Sequence, residues 1–112
     1  MKVLSYCDGM SCGQIALKKL GISVDEYFAT EIKPSAIKVT KDNFPNTKYV
    51  GELTLLTNED LKRLGNINLF ISGTPCKDFS QANKIRLGLK GEKSSLFYNF
   101  VDALNIVKPK YF

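Results

Sequence analysis

Strand and helix signals alternate along the whole chain, and that alternation restricts the fold more than any other property of the sequence. Lys2 to Tyr6 reads as a short apolar strand. Asp8-Gly9-Met10-Ser11-Cys12-Gly13 is a turn of mostly small residues. Gln14 to Leu20 then reads as a helix with Ile15, Ala16 and Leu20 toward one face, stopped by Gly21. Glu26 to Thr30 is a second strand, and Pro34 sits as the first residue of a helix that runs to about Phe44 and is broken by Pro45-Asn46. Lys48 to Val50 is a third short strand. A short helix follows, with Thr57 as N-cap, Asp60 at its third position, Leu61 and Leu64 as its apolar contacts and Gly65 as its stop. Ile67 to Ile71 is a fourth strand. Ser94 to Val107 is a last helix with Leu96, Phe97, Phe100, Val101, Leu104 and Val107 on its apolar face; Lys108-Pro109-Lys110 ends it, and Tyr111-Phe112 begins another strand. Strand-helix repetition of this kind predicts an α/β fold, with a parallel sheet, right-handed crossovers and flanking helices.

The chain has 112 residues, enough for one domain or part of one. With 44% hydrophobic and 24% charged residues, it has the composition of a globular protein. It has no apolar run of about 18 residues, so no membrane span is expected. The start, Met1-Lys2-Val3-Leu4-Ser5, is too short in apolar length for a signal peptide, which places the expected location in the cytoplasm. The three cysteines, Cys7, Cys12 and Cys76, are an odd set without a secretion signal and are expected as free thiols. There is no histidine. A standard four-ligand zinc set is therefore not available and no metal is expected. Nor can a Cys-His or Ser-His-Asp catalytic unit be built from this chain alone. No Cys-x-x-Cys is present, which disfavours a thiol redox protein.

Four local patterns carry chemistry. Ser72-Gly73-Thr74-Pro75-Cys76-Lys77-Asp78-Phe79-Ser80 follows the fourth strand, so the turn delivers a thiol to the lip of the sheet, where ligands bind in open α/β folds. Lys77 is adjacent and would favour the thiolate, although a buried inert cysteine fits the composition equally. The turn Asp8 to Gly13 has two glycines that allow close backbone approach to a ligand at a helix N-terminus, though many strand-to-helix turns carry two glycines. Glu31, at the end of the second strand, stands where a carboxylate accepts hydrogen bonds from a ribose hydroxyl pair. Glu52, in Gly51-Glu52-Leu53 after the third strand, could accept from an adenine amino group. On position alone, each glutamate also fits an ordinary surface residue. Charge adds a fifth pointer. Residues 77–112 carry seven basic and three acidic side chains, whereas residues 1–76 carry nine and eight. The positive excess after Cys76 suits a polyanionic partner, or a solvated lysine-rich surface.

The order and spacing of these patterns resemble the DNA (cytosine-5) methyltransferase family. Val3 to Leu17 is similar to the family's opening motif, Tyr27-Phe28-Ala29-Thr30-Glu31-Ile32 to the second, and Tyr49-Val50-Gly51-Glu52-Leu53 to the third. Ser72 to Ser80 resembles the Pro-Cys motif in a form close to phage enzymes and the animal de novo branch, and so does Leu87-Gly88 through Gly91 to Phe97. The resemblance implies a Rossmann-like fold binding S-adenosyl-L-methionine along the strand ends. Asp8, Gly9, Met10, Ser11 and Gly13 would face its methionine portion, with Cys7 as a wall of the cofactor pocket; Glu31 would hold the ribose, Ile32 would pack on the adenine, Glu52 would take its amino group, and Leu53 and Leu96 would line the same pocket. Cys76 would attack C6 of a flipped cytosine, with Pro75 shaping the turn. The basic stretch with Lys77, Ser80, Lys84, Arg86 and Lys90 would close over double-stranded DNA.

Three departures from the family pattern stand out. Cys7 occupies the place where the family usually has phenylalanine, and Glu52 replaces the usual aspartate. The family's Glu-Asn-Val motif, its arginine motif, its target-recognition region and its C-terminal helix have no counterpart within these residues. The resemblance thus implies the N-terminal catalytic portion of such an enzyme, bacterial or phage-encoded, as a fragment or a split subunit. The alternative is a non-catalytic remnant or regulatory module. An unfinished sheet edge beside the fourth strand would favour a homodimer or a complementary C-terminal polypeptide.

Overall fold

The computed structural model describes residues 1–74 and 95–112. Its centre is β1 (Lys2–Tyr6), which is buried along nearly its whole length. β2 (Glu26–Ala29) pairs with it on one side and β4 (Leu69–Ser72) on the other, while β3 (Lys48–Tyr49) pairs with β2. All three pairings are parallel, with Leu4 opposite both Phe28 and Phe70. The order β3-β2-β1-β4 means that the chain grows outward from β1 in one direction and then crosses to its other side. In open α/β sheets ligands bind at such a reversal, outside the carboxyl ends of the strands.

Alternation of side chains along β1 splits the core into two layers. Leu4 and Tyr6 face the side covered by α3 (Asn58–Arg63), α4 (Ser95–Val107) and a 3-10 turn at Leu53–Leu55, together with Phe28, Leu61, Ile67, Phe70 and Ala103. Val3 faces the opposite layer with Leu17, Tyr27 and Ala29. That layer is covered by α1 (Cys12–Lys19); α2 (Pro34–Asn43) begins, as expected, at its proline.

Two helical faces differ from the sequence reading. On α1 the buried residue is Leu17, whereas Ile15, Ala16 and Leu20 are exposed. The reason is Gly13. A Cβ there would sit 2.5 Å from Ile71 Cδ1 and 3.0 Å from the Tyr27 hydroxyl. The helix therefore rests on the sheet through its Gly13–Leu17 face and turns Ile15 outward. On α4 the most buried residue is Ala103, Phe100 and Leu104 pack on the core, and Phe97 is exposed. A small residue lets α4 approach the layer closely, and an aromatic-weighted reading of its face misses that.

α3 is closed by a capping box. The Asp60 backbone N–H donates to Thr57 Oγ1 at 3.2 Å, and the Thr57 N–H donates to Asp60 Oδ2 at 3.0 Å. The Thr57 backbone N–H, and after it the Thr57 hydroxyl, hold the Asp60 carboxyl below its ordinary pKa. Thr57→Ala is expected to lower stability by about 1 kcal/mol in urea denaturation. At the other end of the chain, Tyr111 lies beside Leu69 in a single parallel bridge, its N–H donating to the Asn68 carbonyl at 2.9 Å and its carbonyl accepting from the Phe70 N–H at 2.9 Å. The strand begun at Tyr111-Phe112 is thus a one-residue extension of the sheet on the β4 side.

Candidate functional site

The segments that leave the carboxyl ends of the four strands surround one cavity of about 390 Å³. Cys7 and Gly9 come from the turn after β1, Glu31 and Ile32 from the end of β2, Glu52 and Leu53 from the end of β3, and Leu96 from α4. All seven are residues singled out in the sequence. The structure adds Thr30, Lys33, Thr54 and Gly73. Their only sequence signal is adjacency to a predicted residue or, for Gly73, a place in the Pro-Cys turn.

Glu31 is the joint of the site. Its Oε2 accepts from the Gly9 backbone N–H at 2.7 Å, and its Oε1 accepts from the N–H groups of Ile32 and Lys33 at 3.0 and 3.1 Å. A carboxylate with two oxygens has about four acceptor positions, so three amides orient it without exhausting it. The turn after β1 is tied to the end of β2 by further bonds: the Cys7 N–H donates to Thr30 Oγ1 at 3.1 Å, and the Asp8 N–H to the Thr30 carbonyl at 3.0 Å. These bonds hold Cys7 at φ 54° and Gly9 at 61°; Ser11, whose N–H donates to the Asp8 carbonyl at 3.1 Å, has φ 63°. For Gly9 this costs little, since it has no Cβ. For Cys7 and Ser11 it is backbone strain of order 1 kcal/mol or more, stored at the cavity's wall for Cys7 and beneath the turn for Ser11. Burial, and then the Glu31 carboxylate, push the Cys7 thiol above its ordinary pKa. It therefore stays protonated at neutral pH and is a wall of the cavity rather than a nucleophile.

The remaining residues predicted for the methionine end are not brought to this cavity. The Asp8 carboxylate turns inward: Oδ1 accepts from Ser5 Oγ and from the Tyr27 hydroxyl, both at 2.7 Å, and Oδ2 accepts from Ser11 Oγ. Burial is the main cause that raises the Tyr27 pKa, so that hydroxyl remains a donor. Asp8 thus organises the turn from below. Ser11 is fully buried, and Gly13 lies against Ile71. Met10 is exposed and lines a separate groove with Ile15 and Val39 between α1 and α2. Pro75, Cys76, Lys77, Ser80, Lys84, Arg86 and Lys90 lie outside the described residues. Cys7 and Cys12 are free thiols.

Two carboxylates from neighbouring strand ends, a glycine turn and apolar flanks thus line one cavity at the carboxyl edge of the sheet. The sequence carrying it, from residue 1 to residue 112, matches the C-5 cytosine-specific DNA methylase family. The chain belongs to that family. It is 31% identical over 121 aligned residues to the DNA (cytosine-5)-methyltransferase DRM2 of Arabidopsis thaliana, covering 98% of this chain and 19% of that protein. It is 33% identical over 97 residues to the type II methyltransferase M.NgoBV of Neisseria gonorrhoeae, covering 87% of this chain and 22% of that protein. The orphan methyltransferase M.Rho11sI of Bacillus phage rho11s is 28% identical, covering all of this chain and 22% of the phage protein. The chain thus spans about a fifth of the length of these relatives. In fold it is similar to the Dnmt2 methyltransferase of S. pombe, with a TM-score of 0.64 at 20% identity over 94% of this chain and 29% of that one. A DNMT2 variant of Spodoptera frugiperda gives 0.61 at 20% identity over 95% and 41%. The C-5 cytosine-specific DNA methylase family implies S-adenosyl-L-methionine as cofactor, and a cavity that offers two carboxylates as hydrogen-bond acceptors beside apolar walls fits the chemistry of its adenosine portion. No helix among the described residues is long and apolar enough to cross a membrane.

Proposed function

We propose that this chain is the cofactor-binding, cysteine-bearing part of a DNA cytosine-C5 methyltransferase acting on double-stranded DNA. The observation that carries the reading is the cavity itself, in which Glu31, Glu52 and Leu96 arrive from three separate segments. Glu31, already oriented by three backbone donors, accepts from the ribose hydroxyls, and its fixed position spares the ligand the entropy of ordering it. Ile32, Leu53 and Leu96 exclude water from the purine, and Glu52 accepts from its amino group. Bound there, S-adenosyl-L-methionine supplies the electrophilic methyl group that the activated C5 carbon of cytosine takes.

Cys76 provides that activation. Its thiolate adds to C6 of a cytosine flipped from the duplex, which breaks the C5–C6 double bond and moves electron density to C5. After C5 is methylated, a base removes the C5 proton, the double bond re-forms and the thiolate leaves. Pro75 shapes the turn, and Lys77, Ser80, Lys84, Arg86 and Lys90 contact the DNA backbone. In this reading the target-recognition and C-terminal parts are supplied by further polypeptide.

The test is isothermal titration of the chain with S-adenosyl-L-methionine. Saturable binding is expected, weakened roughly 10–100-fold by Glu31→Ala, the equivalent of charge-assisted hydrogen bonds. Absence of saturable binding, or an unaltered affinity in Glu31→Ala, would remove the basis for the reading.

A further inference from the structure

We propose that Thr54 is a positioning residue that aims the Glu52 carboxylate and so sets the cavity's preference for a purine bearing a 6-amino group. The proposal rests on the cofactor reading of the cavity and adds a determinant of its specificity. Glu52 is exposed and long, and a free glutamate side chain loses rotamer entropy when a ligand fixes it. Here it is already restrained. Thr54 Oγ1 donates to Glu52 Oε1 at 2.9 Å. The donor is itself fixed, because Thr54 lies within the 3-10 turn Leu53–Leu55, closed by the Leu55 N–H donating to the Glu52 carbonyl at 3.0 Å. Both residues line the cavity. The Thr54 bond falls on Oε1, and among the described residues no donor is placed on Oε2.

A carboxylate oxygen only accepts, so it rewards a ligand that presents an N–H at that point. An exocyclic amino group does so; a purine with hydrogen at C6 does not. Thr54 therefore acts on one edge of the purine and leaves the ribose unaffected. Its effect is separable from that of Glu31, which serves the ribose shared by every such nucleoside.

The experiment is calorimetric titration with S-adenosylhomocysteine and with its 6-deamino counterpart, in which hydrogen replaces the amino group. Wild type is expected to prefer the amino ligand. Thr54→Val keeps the shape and removes the hydroxyl; it is expected to weaken the amino ligand roughly fivefold and leave the deamino ligand unchanged. Thr54→Ser restores the donor and is expected to retain the wild-type preference. Equal weakening of both ligands in Thr54→Val, or an unchanged preference, overturns the proposal. The cofactor reading is tested separately by Glu31→Ala, which weakens both ligands alike. If neither ligand binds wild type, that reading falls and this proposal falls with it.

Discussion

Cys76→Ser is expected to abolish every covalent adduct between this protein and a duplex containing 5-fluorocytosine. The measurement is a denaturing gel shift in the presence of S-adenosyl-L-methionine and a polypeptide carrying the downstream motifs of the family. The wild-type thiolate adds to C6, and the fluorine at C5 cannot leave as a proton does, so elimination stops and the adduct persists. A serine hydroxyl is far less acidic than a thiol and is a poor nucleophile without a base. Cys7 does not replace it. The Cys7 thiol is held above its ordinary pKa by burial and by Glu31, so it is protonated at neutral pH. Cys7→Ser is therefore expected to retain the adduct. An adduct surviving in Cys76→Ser would exclude this cysteine as the nucleophile. A wild-type chain that binds cofactor but forms no adduct in the mixture would favour a non-catalytic module.

Phe70→Ala is expected to lower stability by about 3–5 kcal/mol, read from the midpoint of urea denaturation followed by circular dichroism. Phe70 is fully buried at the middle of β4. Its ring meets Tyr6 edge-on with centroids 4.8 Å apart and an interplanar angle of 80°, and Phe100 at 5.0 Å and 78°. Each such pair adds about 0.5–1.5 kcal/mol beyond the area buried. A single domain usually has about 5–15 kcal/mol in total, so the variant would retain little. The same residue joins the site to the core. Phe70 pairs with Leu4 on β1, and Gly73, just beyond β4, donates its N–H to the Tyr6 carbonyl at 3.1 Å at the cavity's edge. Phe70→Leu keeps much of the volume and is expected to cost about 1 kcal/mol. A loss below that for Phe70→Ala would show that α4 does not depend on this contact.

Much of the fold was legible because its signals are local. Proline at the start of α2, the Thr57–Asp60 box and the short apolar strands all act within a few residues of chain, and each appears close to where the sequence placed it. The faces of α1 and α4 were not legible in the same way. Gly13 and Ala103 decide how closely each helix approaches its layer, and their value lies in the volume they lack. A hydrophobicity pattern gives such residues little weight.

The site divides along the same line. Glu31, Glu52, Gly9, Ile32 and Leu53 could be named in advance because motif order fixes which strand end carries each, and parallel pairing brings the strand ends together; Leu96 could be named from its own motif, at the start of α4. The direction in which Asp8 points could not be. It sits inside the same motif as Gly9, yet three hydroxyls from Ser5, Ser11 and Tyr27 draw its carboxylate under the turn, and Tyr27 lies on a different strand. Thr54 likewise has meaning only beside Glu52. Residue order along the chain identified the family, the sheet and the acidic strand ends, because those follow from local propensity and motif spacing. Which of the motif residues face the cavity and which serve as struts was settled by packing and by competition among hydrogen-bond donors, and both depend on partners that are distant in the chain.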